Sequence, residues 1–225
     1  MAVGDVRGVL QYVPMFRGRT FIVVLDEGLP EFAVAEALLD LKALQEVGVN
    51  LVIAVAGDDR AVALAADRAM DLEIKFARAE APEAVKTILD RGQAAIMGCK
   101  AETLLGEEIS RLGVSLGAAK LISLLNGPGI LRNGQALHAV SCSELESLSR
   151  VEGEKGKIEG KVLLEEAAAA CRAGVSRVHV LDGRQQGVLA DELFSNEGAG
   201  TMVHADDYRE LRPLREDDVP ELLAM

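Results

Sequence analysis

The sequence predicts an α/β fold in which helices cover a mainly parallel central sheet, and three observations predict it. Short, apolar, β-prone runs alternate with amphipathic helical stretches along most of the chain, the pattern of βαβ units. The 225 residues are 49% hydrophobic, enough to bury a sizeable core, yet aromatics make up only 3% and Trp is absent, so that core is Ala, Val, Leu and Ile. No Pro/Gly/Ser linker interrupts the alternation before residue 205, and no internal repeat is visible.

Each element follows from local chemistry. Residues 5–13 read as a short apolar helix stopped by Pro14, and Thr20–Leu25 as a strand. A long amphipathic helix over 30–47 ends at Gly48, followed by a strand at 51–55 and a helix at 58–70. Helices at 81–90 and 101–112 flank a strand at 94–97, and Lys120–Leu125 is a further strand. Residues 130–137 form a hairpin around Asn133-Gly134, the pair best suited to a turn with two positive φ angles. Ser141-Cys142-Ser143-Glu144 is a capping box opening a helix. Lys161–Ala173 is an alanine-rich helix ended by Gly174, and a strand follows over 177–181. The five predicted core strands are Thr20–Leu25, 51–55, 94–97, Lys120–Leu125 and 177–181.

A net charge of −12 argues against nucleic acid or an anionic membrane as partner, because phosphate contacts need clustered Lys and Arg. Cys99, Cys142 and Cys171 are far apart, and with only three histidines no metal-ligand spacing can be assembled. They are expected to be reduced, largely buried thiols. The first residues carry no apolar signal core and no run reaches the ~20 apolar residues of a membrane span, so a soluble, cytoplasmic protein is expected.

The richest stretch runs from Arg177 to Met202. An apolar strand carrying His179 passes through a Gly183 turn into an amphipathic helix (Val188, Leu189, Leu193) that carries Glu192. A loop, Gly198-Ala199-Gly200, then enters a last strand. A histidine leaving a strand, a glutamate on the next helix and backbone exposed at glycines are suited to a cationic, hydrogen-bonding small molecule. The stretch closely resembles the C-terminal segment of arginine-regulated N-acetylglutamate kinases and of the kinase-like half of N-acetylglutamate synthases, in the amino-acid kinase family. The start, from Tyr12 to Phe21, resembles the N-terminal extension of arginine-sensitive members. The resemblance implies an amino-acid-kinase-like αβα sandwich, L-arginine as effector held by Tyr12, His179, Glu192 and Gly198, and a homo-oligomer, dimer or hexamer.

The phosphate-handling parts depart from that family. Backbone N–H groups and a cation must meet phosphate oxygens, but the expected Lys position is Val24 and the following glycines are replaced by Asp26 and Glu27. The second loop, Gly57-Asp58-Asp59, adds two acids, and the family's catalytic Asp region falls at Leu104-Leu105-Gly106. Asn126 stands where a Thr-Asp pair usually ends the nucleotide-side strand. Arg78 resembles a substrate-carboxylate clamp, but the lid between Arg78 and Leu104 is missing; Lys161 resembles a phosphate-contacting lysine, but its helix is two residues longer than the family's, so both are degenerate positions. The resemblance therefore implies no catalytic residue, no cofactor and no metal in this chain. It implies a non-catalytic, arginine-sensing N-acetylglutamate-kinase-like domain of arginine biosynthesis, from an N-acetylglutamate synthase. The alternative is an active kinase for N-acetylglutamate or another small carboxylate, using ATP-Mg; a scaffold without ligand is a third reading. The resemblance implies that residues 1–204 form the kinase-like domain. Residues 205–225 resemble a linker and the opening of a GCN5-type acetyltransferase domain, either cut at the linker or surviving as a remnant.

Overall fold

Chain alternation becomes sheet topology through the pairing of β1 (Thr20–Leu25) with β2 (Asn50–Ala56) on one side and β5 (Lys120–Leu125) on the other, both parallel. The computed structural model describes residues 13–100, 104–145, 158–195 and 198–205. Outward from these lie β4 (Ala94–Cys99) and the edge strand β3 (Phe76–Arg78) on one wing, and β10 (Arg177–Asp182), β11 (Thr201–His204) and β8 (Ala139–Ser141) on the other. In this eight-stranded sheet, ordered β3-β4-β2-β1-β5-β10-β11-β8, only the β10–β11 pairing is antiparallel. The five predicted core strands are neighbours and all parallel. A second, three-stranded antiparallel sheet joins β6 (Leu131–Arg132), β7 (Gln135–Ala136) and β9 (Ile158–Glu159).

Strands buried on both faces read as unbroken apolar runs, and β1 shows why. Ile22 and Val24 enter one core with α3 (Pro82–Asp90), α4 (Glu107–Ser115) and α5 (Lys161–Ala173). Phe21, Val23 and Leu25 enter the other with α1 (Glu31–Glu46), α2 (Asp59–Asp71) and α6 (Val188–Phe194). The result is a three-layer αβα sandwich.

Turn and cap chemistry behave as the sequence predicts. Asn133 and Gly134 take φ of 54° and 77°. The Ser141 N–H donates to the Glu144 carboxylate at 2.8 Å, and the Glu144 N–H donates to Ser141 Oγ at 3.2 Å. The predicted 101–112 helix is corrected: α4 begins at Glu107, because extended Gly106 is its N-cap and Leu104 and Leu105 are buried in the core instead. The strands β3, β8 and β9 escape the sequence because two or three residues carry no measurable periodicity. Just before β3, the Gln45 amide of α1 accepts from Lys75 N–H at 3.0 Å and donates to its carbonyl at 2.7 Å, tying the helix to the start of the edge strand. The predicted 5–13 helix, apart from Val13, and residues 206–225 lie outside the described residues. Among the described residues no helix is long and apolar enough to cross a membrane.

Candidate functional site

Side chains alternate along each strand, so Lys120 and His179 project to the same face as Ile122, Leu124 and Leu181, the face covered by α1, α2 and α6. Parallel pairing of β5 with β10 brings the two strands side by side, with His179 opposite Ile122. Lys120 Nζ stands 3.1 Å from His179 Nε2. On the far side of the ring, His179 Nδ1 meets Glu192 Oε1, from α6, at 2.5 Å. Glu192 Oε2 accepts from the Ala199 N–H at 2.6 Å and the Gly200 N–H at 3.0 Å. The result is one buried line: ammonium, imidazole, carboxylate, glycine loop.

All three side chains are buried, at 6%, 2% and 8% exposure for Lys120, His179 and Glu192, so their charge states answer to burial first and to their charged and hydrogen-bonding neighbours next. An ionised carboxylate only accepts, so Nδ1 carries the proton and Nε2 accepts from Lys120. Burial, then the Lys120 charge, pushes His179 down to about 4. Burial, then the charge of Arg177, lowers Lys120 to about 8, with Glu192 opposing. Burial works against ionisation of Glu192, but the hydrogen bonds from His179, Ala199 and Gly200 prevail and hold its pKa below the usual value. A neutral imidazole thus separates one cation from one anion. Phe16, packed edge-on against Phe21 at 5.2 Å, lies 5.8 Å from the Lys120 ammonium.

Of the residues singled out from sequence, His179, Glu192 and Gly198 come together. A Cβ on Gly198, where φ is +70°, would lie 3.0 Å from Glu192 Oε2. Two expectations about them are corrected. His179 does not leave the strand; it is the third residue of β10, enclosed by β5 and β11. The glycine-loop amides are not open either, because Glu192 already takes those of Ala199 and Gly200. Tyr12 lies outside the described residues. Arg78 is exposed on edge strand β3, and Lys161 opens α5 on the opposite face of the sheet, so neither belongs to this cluster. Lys120 is the member that sequence reasoning missed. Its signal was a single cation opening a strand that is apolar but for Ser123.

The C-terminal edge of the parallel strands, where α/β sheets ordinarily take ligands, is acidic at β1 and bridged there to β5. The Asn126 N–H donates to the Asp26 carboxylate at 2.8 Å, Val24 is fully buried, and Glu27 lies against Gly57. Asp182 there grips Arg184 through two side-chain hydrogen bonds of 2.8 Å. Between α1 and α6, burial pushes Asp40 up to about 6, the Ala190 N–H opposes this, and Glu36 and Asp191 add repulsion. Among the described residues no group of His, Cys, Asp and Glu is placed to hold a metal ion.

No family model matches the chain. It is 32% identical over 156 residues to an amino-acid acetyltransferase of Aliivibrio fischeri, covering 63% of this chain and 35% of that protein. It is 27% identical over 154 residues to the amino-acid acetyltransferase of Escherichia coli K12, covering 64% and 35%. The chain thus spans about a third of the length of these curated relatives. Among solved structures, N-acetylglutamate synthase from Neisseria gonorrhoeae, complexed with coenzyme A and L-arginine, superposes with a TM-score of 0.75 at 19% identity, covering 100% of this chain and 70% of that one. A carbamate kinase from Giardia lamblia, bound to AMP-PNP, reaches 0.60 at 11% identity, covering 84% and 99%. These likenesses overturn the identification with the amino-acid kinase family, and with it both kinase-based readings, the kinase-like arginine-sensing domain and the active kinase. The sequence relatives are acetyltransferases, and the kinases agree less well in structure. One αβα frame serves several chemistries, so frame and strand order were no guide to which of them this chain serves.

Proposed function

We propose that this chain serves an amino-acid acetyltransferase of the N-acetylglutamate synthase kind, and that L-arginine binds along the Lys120–His179–Glu192 line as its effector. The observation that carries the reading is that buried line closing on a glycine loop. A guanidinium pairs bidentately with a carboxylate, here Glu192. The Lys120 ammonium has three N–H donors, of which His179 takes one, and suits the ligand's carboxylate. Gly198 leaves room beside Glu192. The acetyltransferase relatives, and the synthase solved with coenzyme A and L-arginine, support the same reading.

Titration calorimetry with L-arginine tests the site. Thiol release from acetyl-coenzyme A in the presence of L-glutamate, measured with and without L-arginine on the protein containing this chain, tests the activity. Saturable heat and arginine-sensitive acetyl transfer are expected. No heat at millimolar L-arginine overturns the effector site, and no glutamate-dependent thiol release overturns the acetyltransferase reading.

A further inference from the structure

We infer that Glu192 latches the Gly198–Gly200 loop through its two backbone hydrogen bonds, and that a guanidinium ligand releases this latch and so passes occupancy of the site to strand β11. The inference rests on the L-arginine reading above and adds how binding is transmitted.

A carboxylate offers about four acceptor positions. Three are occupied here, by His179 on Oε1 and by the Ala199 and Gly200 amides on Oε2. A guanidinium engaging both oxygens in one plane must displace at least one side. The two sides are not equally held. His179 sits within a strand bonded along both edges, and its ring is pinned between Lys120 and Glu192. The loop is tied to α6 by the Glu192 carboxylate and by the Gly198 N–H donating to Ser195 Oγ at 3.1 Å. The loop is the side that yields.

Its movement is directed. Gly200 lies so close to β10 that an added Cβ would be 2.5 Å from the Val180 carbonyl oxygen and 2.4 Å from Leu181 Cδ2. The next residue, Thr201, begins β11 opposite Val180. β11 in turn pairs with β8, whose last residue, Ser141, opens the capping-box helix. Releasing the amides frees the entry to β11 while Gly200 remains the pivot against β10, so the signal leaves along β11 toward the residues that follow it.

Amide hydrogen exchange, resolved to single residues, tests this on the full chain. Without added L-arginine the Ala199 and Gly200 amides, both bonded to Glu192, should exchange slowly. Saturating L-arginine should speed their exchange roughly tenfold or more, while Val178–Leu181 stay protected. Heat from L-arginine with unchanged exchange at Ala199 and Gly200 overturns the latch and leaves the effector site standing. If L-arginine gives no heat, the effector reading falls, and Glu192→Gln decides the latch without ligand. Gln keeps the shape but presents an acceptor to one side only, so His179 and the loop amides cannot both be satisfied. Faster exchange at Ala199 and Gly200 in E192Q supports the latch, and exchange unchanged from wild type overturns it.

Discussion

His179 Nε2 stands 3.1 Å from the ammonium nitrogen of Lys120, and this contact sets the protonation of everything downstream. Nε2 must accept, Nδ1 must carry the proton, and Glu192 must be the anion that receives it. Removing any member leaves a buried partner without its complement, which is where the consequences are largest.

Glu192→Ala removes the acceptor for the buried His179 ring and two half-buried amides, and strands the Lys120 charge. It should cost about 3–5 kcal/mol of stability, the range for breaking a buried pair from one side, measured by urea denaturation. It should also abolish L-arginine binding. A fold left unperturbed by this change would mean that the line is not a structural unit.

Acid should act through His179. The group titrates near 4 in the fold and near 6.5 in the unfolded chain. Between those values the unfolded chain binds the extra proton, so stability is complete above 6.5 and is lost as pH falls toward 4. The loss is on the order of 3 kcal/mol. Asp40 works in the opposite sense over part of this window, so the comparison must be with His179→Gln, in which Asp40 is unchanged. Relative to that variant, the wild type should lose denaturant resistance between pH 6.5 and 4.

Asp40→Asn should behave inversely. A carboxyl raised from 3.8 to about 6 is penalised when ionised, so the penalty is full above pH 6 and absent below 3.8. Because Asp40 is partly exposed, solvent screening reduces the gain to about 1 kcal/mol at pH 7.5. The gain should vanish at pH 3.5, as a pair of thermal melts would show.

Gly200→Ala forces a Cβ against the Val180 carbonyl oxygen at 2.5 Å, a backbone atom that cannot step aside. A loss of about 1–3 kcal/mol is expected, with β11 loosened from β10. Gly127→Ala, where an added Cβ meets nothing within 4 Å, should stay within about 0.5 kcal/mol of wild type. Equal effects from the two would refute the close-approach argument.

What the sequence determined by itself was everything carried by neighbours along the chain. The five core strands read as largely apolar runs, broken only by such residues as Lys120, Ser123, Arg177 and His179, because both sheet faces are covered. Asn133-Gly134 and Ser141–Glu144 are read from residue chemistry over four positions or fewer. His179, Glu192 and Gly198 could be grouped because one short strand–helix–loop unit holds them. The tertiary structure alone decided that Lys120 joins them, since 59 positions separate it from His179 and only the β5–β10 pairing makes them neighbours. It alone decided that Glu192 is already engaged by the loop it was expected to assist, and that Arg78 and Lys161 stand apart from it. The physical reason is common to all of these. Periodicity and turn propensity are local, whereas burial, charge state and hydrogen-bond partners depend on which distant strands and helices come into contact.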